Sequence, residues 1–311
     1  MLRFAIVLAL LGHVAWALAG EPAGIATIVE GKAVVIRTLS TLEAVEGVRL
    51  LADDLVHTGK DAFLRIEYDD GTTVDVGAET RLQCNHPARR KFEQPGMYLL
   101  SGWLKITSGK TEARHSPAFG SPRFDVLNIA GIVVVHAARG SGAVFVEQGT
   151  AGWGDRQVRG ATAFTLKAGE FQSFREDEAP GMRERPAPDF VAAMPRLFRD
   201  ALPRRFAKFR DSNVVAKSQG TFSYAEVEPW VDAEPAIRHQ FVSLWRSMTK
   251  VDAFRASLER GLSLHPEWGP VLYPPEPQEA RSSLAPVSPG PAVVLGPLDG
   301  PSPQPAGAVH H

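Results

Sequence analysis

Cysteine is nearly missing from this chain: one, Cys84, in 311 residues. A lone thiol builds neither an internal disulfide framework nor a thiolate-rich metal site. Excess charge of one sign is missing too. There are 34 Lys and Arg against 35 Asp and Glu, a formal net charge of −1. That balance excludes an obviously basic nucleic-acid binder at the level of the whole chain. Past the first twenty residues, no apolar run is long enough to span a bilayer. Catalytic motifs are also wanting. None of the nine histidines falls at HExxH spacing. Gly140-Ser141-Gly142 lacks the G-x-S-x-G frame of a nucleophile elbow. No glycine-rich phosphate loop leads into a helix. Cys84 and His86 stand two apart, so on a strand they point together. A nucleophile also needs an activating environment and a third, orienting group. The expectation is therefore a binding protein with no catalytic residue, no cofactor and no metal.

What is present is ordinary globular composition, 44% apolar, 22% charged and 8% aromatic. The length accommodates about two domains. Ten of the 24 prolines lie in the last 38 residues, which predicts a folded body followed by a disordered tail over 274–311. At the other end Arg3 precedes an apolar run from Phe4 to Leu11, weaker through Val14 to Trp16. Ala17-Leu18-Ala19 then stands before Gly20. This is the three-part pattern of a secretory signal over residues 1–19, with cleavage between Ala19 and Gly20. The run is shorter than the ~20 residues of a spanning helix. An uncleaved anchor is the alternative, and the chain would meet a membrane only in that case. Removing 1–19 takes away one arginine and no acid, leaving 33 basic against 35 acidic side chains, a net −2. A single thiol suits the oxidising periplasm. Export also sets nucleic acid aside as a partner.

Residues 20–175 read as strands. Ile25 to Val29 is β-branched and closed by Glu30-Gly31, and Ala33 to Arg37 is a second such run. In Phe63 to Tyr68, Leu64, Ile66 and Tyr68 share one face while Arg65 and Glu67 share the other. Asp69-Asp70-Gly71-Thr72 is a hairpin turn, because Asp-Gly supplies the positive φ that such turns need. Thr73 to Val76 is the returning strand. Further runs are Tyr98–Leu100, Trp103–Ile106, Phe124–Ile129, Ile132–His136, Ala143–Val146, Ala163–Leu166 and Phe171–Phe174, punctuated by glycines. Short strands with frequent turn signals predict a sandwich, roll or solenoid, not alternating strands and helices around a parallel sheet.

Several stretches resemble the FecR-type periplasmic domain: Asp54-Leu55-Val56-His57-Thr58-Gly59, Ala62 to Ile66, Asp70-Gly71-Thr72, Val76-Gly77 and Thr80-Arg81-Leu82. Leu100-Ser101-Gly102, Glu147-Gln148-Gly149 and Lys167-Ala168-Gly169-Glu170 match its later hairpins more loosely. The resemblance spans about 25–175, and 54–82 is its specific part. Asp53 departs from it, since a glycine often stands there. Val135-His136-Ala137 departs too, where a Gly-Thr step is usual. The resemblance implies a mainly β fold, an antiparallel β-sandwich or β-roll, and a role in signalling by interaction. It also implies that Asp54, Thr58, Gly59, Asp70, Gly71, Thr72, Gly77 and Arg81 shape the domain. Read from the residues alone, Asp54 and Thr58 bond nearby backbone, and Gly77 marks a bulge or a close approach. A hard-cation site on Asp53, Asp54, Asp69 and Asp70 is the alternative, but it needs more oxygen ligands at fixed spacing.

Residues 176–188 are polar and Pro-rich and read as a linker, and 189–273 as a small α-helical region. Phe190, Met194, Leu197 and Phe198 fall at helical intervals interrupted by Pro195, and Leu202, Phe206 and Phe209 recur after Pro203. Between Gly181 and Lys217 nine Lys/Arg stand against four Asp/Glu. This is a candidate patch for an anionic partner or simply a solvated helix face. Glu234-Pro235-Ala236 opens a helix with the stripe Ile237, Phe241, Leu244, Trp245 and Met248. Asp252 caps the next, bearing Phe254, Leu258 and Leu262 and stopping near Gly261. Candidate interaction residues are Trp103 and Trp153, as exposed aromatics, with Arg204, Arg205, Lys208 and Arg210.

Three functions fit these readings. One is an exported scaffold or sensory relay that binds an envelope protein or cell-wall glycan. The second is a membrane-associated regulator related to sigma-factor control. With only Met1-Leu2-Arg3 before the apolar run, the expectation is that direct sigma-factor binding is lacking. The third is a hydrolase of envelope polymers, which needs a pocket of convergent titratable groups.

Overall fold

The β-branched runs do become strands. The computed structural model describes residues 22–85, 96–109, 116–156, 164–176 and 178–275. The signal segment with Ala19 and Gly20, His86 and the Pro-rich tail from 276 lie outside the described residues. In chain order the strands are β1 (Pro22–Glu30), β2 (Ala33–Arg37), β3 (Ser40–Glu43), β4 (Arg49–Leu51), β5 (Leu55–Thr58), β6 (Phe63–Glu67), β7 (Thr73–Val76) and β8 (Arg81–Gln83). They continue as β9 (Met97–Thr107), β10 (Phe119–Gly120), β11 (Phe124–Ala138), β12 (Ser141–Asp155), β13 (Phe164–Lys167), β14 (Phe171–Arg175), β15 (Glu178–Arg183) and β16 (Ser218–Gly220).

All belong to one mixed sheet, antiparallel except where β10 runs parallel to β9. The long strands organise it. β9 pairs along one edge first with β8 and then with β7, and along the other with β10 and β11. β1 is likewise shared between β4 and β6, and β12 between β13 and β14. Strands shared in this way must bend, and bulges supply the bend. The β11–β12 ladder shifts between Leu127 and Ala130. There Gly131 (φ 135°) faces Gly149 (φ 79°), and a Cβ on either would lie within 2.0 Å of the opposite backbone. The fold is thus mainly β. The runs 98–100 and 103–106 are one strand, because the β8–β9 ladder bulges at Leu100 and Gly102 (φ 104°) just after it stays paired with Ala137. The same holds for 124–129 and 132–136.

The main core lies between the faces of this bent sheet. It collects Ala26, Val35, Leu64, Ile66, Val74, Leu82, Leu99, Leu104, Phe119, Phe124, Val133 and Val144.

Residues 176–188 differ from the expected linker, since β15 continues the sheet by pairing with β14. The region after it holds α1 (Pro188–Ala193), α2 (Phe206–Phe209), α3 (Tyr224–Val231), α4 (Pro235–Leu244), α5 (Asp252–Arg260) and α6 (Gly269–Leu272). It also returns β16 to the edge of β3. A capping box opens α3, where the Glu226 carboxylate accepts the Ser223 amide at 2.7 Å. Proline in the first turn opens α4. Asp252 does not cap α5 as expected, because Val251 takes the extended cap position and Asp252 is the first helical residue, an acid in the first turn. Trp230, Trp245 and Trp268 are fully buried, as the aromatic stripes predict, while Leu244 stays exposed.

These helices pack on the sheet. Ile36, Leu55 and Tyr98 share one apolar cluster with Phe222, Val227, Trp230, Phe241 and Trp245. Polar contacts cross the same seam: Trp245 Nε1 donates to Thr38 O at 3.1 Å, Gln83 pairs with Gln240, and Arg156 reaches Glu234 at 2.5 Å. No helix among the described residues is long and apolar enough to cross a membrane.

Candidate interaction site

The 54–82 stretch spends its polar groups on the fold. Asp54 is buried, and its carboxylate receives a fork from Arg37 at 2.7 and 2.9 Å and the Leu51 amide at 2.8 Å. Burial raises this carboxyl above its usual range, and the Arg37 guanidinium and the amide oppose the rise. Thr58 Oγ1 donates to Gly77 O at 2.6 Å and accepts the Thr80 amide at 2.9 Å, tying β5 to the β7–β8 turn. The Gly59 amide donates to Lys32 O. In the hairpin, Asp70 accepts both the amide and the hydroxyl of Thr72, at 2.7 and 2.9 Å, and Gly71 sits at φ 83°. Arg81 lies across the ladder from His57. No group of three or more His, Cys, Asp or Glu among the described residues is arranged to hold a metal ion. Cys84 is fully buried in the core, and this burial pushes its thiol well above the ordinary value.

His57 acquires a partner that sequence reasoning did not assign. Trp230 Nε1 of α3 donates to its Nε2. Burial first, and the Arg81 charge next, hold the imidazole down to about 4.

The face bearing Arg65 and Glu67 also departs from expectation. Alternation along β6 predicts one buried and one wet face, yet all five residues of the strand are buried. Register carries a charged ladder across three strands, with Arg65 opposite Asp75 and Asp75 opposite Lys105. The Arg65 guanidinium grips Asp75 at 2.6 and 2.7 Å. Burial pushes the Asp75 carboxyl up, and Arg65 opposes it. Lys105 pairs with Glu147 at 2.8 Å.

Residues 187–206 form a strap over this face. Arg65 Nη1 donates to Leu202 O at 3.1 Å and Lys105 Nζ to Phe198 O at 2.5 Å. Glu67 accepts the amides of Arg205 and Phe206, each at 2.9 Å, and the hydroxyl of Thr27. Beside the polar row, Phe190, Met194 and Phe198 enter an apolar cluster with Ile28, Phe63, Val134 and Phe171. Of the bulge or close approach expected at Gly77, it is a close approach, by Trp103 of β9 and by Pro195 of the strap. A Cβ there would lie 2.7 Å from Trp103 Cβ and 2.8 Å from Pro195 Cγ. The signal missed in the sequence was the matched sign alternation of Arg65, Asp75 and Lys105 on successive strands.

The candidate interaction residues divide. Trp153 is 5% exposed and belongs to the main core, so it is not a surface aromatic. Trp103 is partly buried, stacked on His136 at 4.4 Å and covered by Phe190 at 5.0 Å. Both corrections have one cause: strands 97–107 and 141–155 are covered, by the rest of the sheet and by the strap. Of the basic set, the only helix is Phe206–Phe209, so Arg204 and Arg205 precede it. Arg205 pairs with Glu46 at 2.7 Å. Arg204, Lys208 and Arg210 are exposed, as are Arg196 and Arg199 on the same segment.

No family model matches this chain, and no curated protein matches it. Two crystal structures, each described as "a putative anti-sigma factor" from Parabacteroides distasonis ATCC 8503, are similar to it at 15% identity with TM-scores of 0.35 and 0.37. The match covers 44% of this chain and 62% and 63% of theirs, so the chain spans less than two thirds of their length.

Proposed function

We propose that this chain is an exported envelope protein that acts by binding, as a scaffold or sensory relay built on a FecR-like β module. The observation that carries this reading is where the polar groups go. Asp54, Thr58, Asp70 and Thr72 are bonded to backbone and to neighbours within the fold. On the outside, the strap and α2 present Arg196, Arg199, Arg204, Lys208 and Arg210 to solvent. A strip of exposed guanidinium and ammonium groups attracts an anionic surface, here an acidic envelope protein or an anionic cell-wall glycan.

The test replaces Arg196, Arg199, Arg204, Lys208 and Arg210 together by Gln. Arg205 is spared because its 2.7 Å pair with Glu46 is tight, whereas Arg196 and Arg210 make only loose exposed pairs with Asp200 and Asp211, at 3.8 and 3.6 Å. Capture of the mature protein on purified sacculi and on envelope extract is measured at about 0.15 and 1 M salt, between which the screening length falls from ~8 to ~3 Å. The native protein loses binding at high salt, and the variant has already lost it at low salt. Equal binding by both proteins at both salts refutes the strip. Hydrolysis of the sacculi by purified protein, abolished by Cys84→Ala, refutes the non-enzymatic reading. The anchored-regulator alternative is separated by mass spectrometry of the native N-terminus, where an intact residue 1 supports it.

A further inference from the structure

The contacts between the polar face and the strap run to main-chain atoms. Arg65 and Lys105 hold the carbonyls of Leu202 and Phe198, and Glu67 holds the amides of Arg205 and Phe206. Groups that bind carbonyls and amides recognise backbone whatever its side chains, here a turn carbonyl, a loop carbonyl and the first amides of α2. The strap is built of short pieces. The six-residue α1 and a single 3-10 turn over Arg196–Phe198 are joined by extended backbone at Met194 and Pro195, at φ −59°, ψ 131° and φ −50°, ψ 134°. Those angles lie near polyproline geometry. Prolines 186, 188, 195 and 203 keep much of it from continuing as helix. Three apolar side chains, Phe190, Met194 and Phe198, four residues apart, anchor it in the pocket of Ile28, Phe63, Val134 and Phe171.

The energetics favour exchange over permanence. Arg65 and Asp75 are 7% and 1% exposed, and an ion pair taken out of water returns little net stability after its desolvation cost. A segment without its own ladder, held by a few side-chain bonds and three anchors, opens at lower free energy than the sheet beneath it. Opening also leaves Arg65, Asp75 and Lys105 paired along the ladder.

We propose that the Arg65–Glu67–Asp75–Lys105 face is a peptide-binding face, and that residues 187–206 are its resident occupant in cis. A partner that displaces the strap presents a proline-broken segment of short helical turns and extended links, with apolar anchors spaced as Phe190, Met194 and Phe198 are. Seating the strap then represents the closed state and partner binding the open one. Arg196, Arg199 and Arg204 of the basic strip lie on the strap, but this inference rests on the buried face beneath it, and its tests read exchange and peptide affinity where the strip's test reads salt-dependent capture.

Two measurements on the mature chain, residues 20–311, test it. The first is native-state hydrogen exchange. The amides of Arg205 and Phe206 should exchange about 100-fold or more faster than those of Val134 and Val135, through an opening that leaves the sheet closed. Equal rates overturn the proposal, because the strap would then open only with the whole domain. The second uses a labelled synthetic peptide of residues 187–206. Met194→Ala/Phe198→Ala removes two anchors and raises the open fraction, so the peptide should bind this variant at least about tenfold more tightly than the native chain. Near-UV circular dichroism checks that the variant is folded. Equal affinity for both overturns the proposal. If the variant does not fold, the exchange experiment on the native chain decides alone.

Discussion

Trp230 Nε1 donates a hydrogen bond to His57 Nε2 at 2.7 Å, and the two rings lie 7° from parallel. An indole nitrogen only donates, so the imidazole accepts at Nε2 and is neutral, with its proton on Nδ1. The bond joins a helix to the sheet across 173 residues of sequence.

Protonating His57 therefore costs this bond. Its pKa is about 4 in the folded state against an ordinary 6.5, so between those values the unfolded chain binds the extra proton. Stability is fully present above pH 6.5 and falls as pH drops toward 4, by an order of 2–3 kcal/mol for this group. His57→Gln keeps an acceptor for the indole and does not titrate. Urea unfolding at pH 7 and pH 4.5 should show a smaller loss for the variant than for the native chain. An identical loss for both assigns the pH dependence to other groups.

Gly71 sits at φ 83°, and Arg204 Nη1 lies 2.8 Å from where its Cβ would be. Gly71→Val strains the turn at a cost of about 1–3 kcal/mol. For a chain of this size that lowers the thermal midpoint by about 2–4 °C per kcal/mol. The full mature chain is the right background, because the strap packs on this turn. An unchanged midpoint would contradict the positive φ.

Truncation after Arg183 removes the strap and the helices. It uncovers Ile36, Leu55 and Tyr98 on one side and Arg65, Glu67 and Asp75 on the other. The fragment 20–183 should unfold at lower urea, or without cooperativity, and bind a hydrophobic dye. A cooperative transition at the native midpoint would show that the β module stands without its cover.

Arg37→Met strands the buried Asp54 carboxylate. Removing one partner of a buried pair typically costs about 3–5 kcal/mol, because the remaining charge is left uncompensated. Arg37 is 30% exposed at its side chain, so solvent reduces this toward the lower end. Replacing the pair, Arg37→Met with Asp54→Leu, should recover much of the loss in urea denaturation. A double variant no better than the single one would assign the cost to the Leu51 amide that Asp54 also holds.

Much of the fold was legible because its causes are local. Alternation in Phe63–Glu67, the Asp70-Gly71 turn, Pro235 in the first turn of a helix and the Ile237–Phe241–Trp245 stripe each depend on neighbours within a few residues. The expected bounds of Ala33–Arg37 and Thr73–Val76 match the strands found. Glycine misled where it sits within a strand without ending it, as at Gly102 beside the Leu100 bulge, because a bulge and a turn both call for positive φ. Local chemistry is enough for the mainly β class, the Asp70-Gly71 hairpin and the helix starts near Pro235 and Asp252, but not for the helix at Tyr224. Packing between remote segments is what covers the wet-looking face of β6, puts Trp153 in the core and bonds His57 to Trp230. Each of these joins residues remote in the chain, and a side chain's alternation reports which face it shares, not what comes to lie on that face.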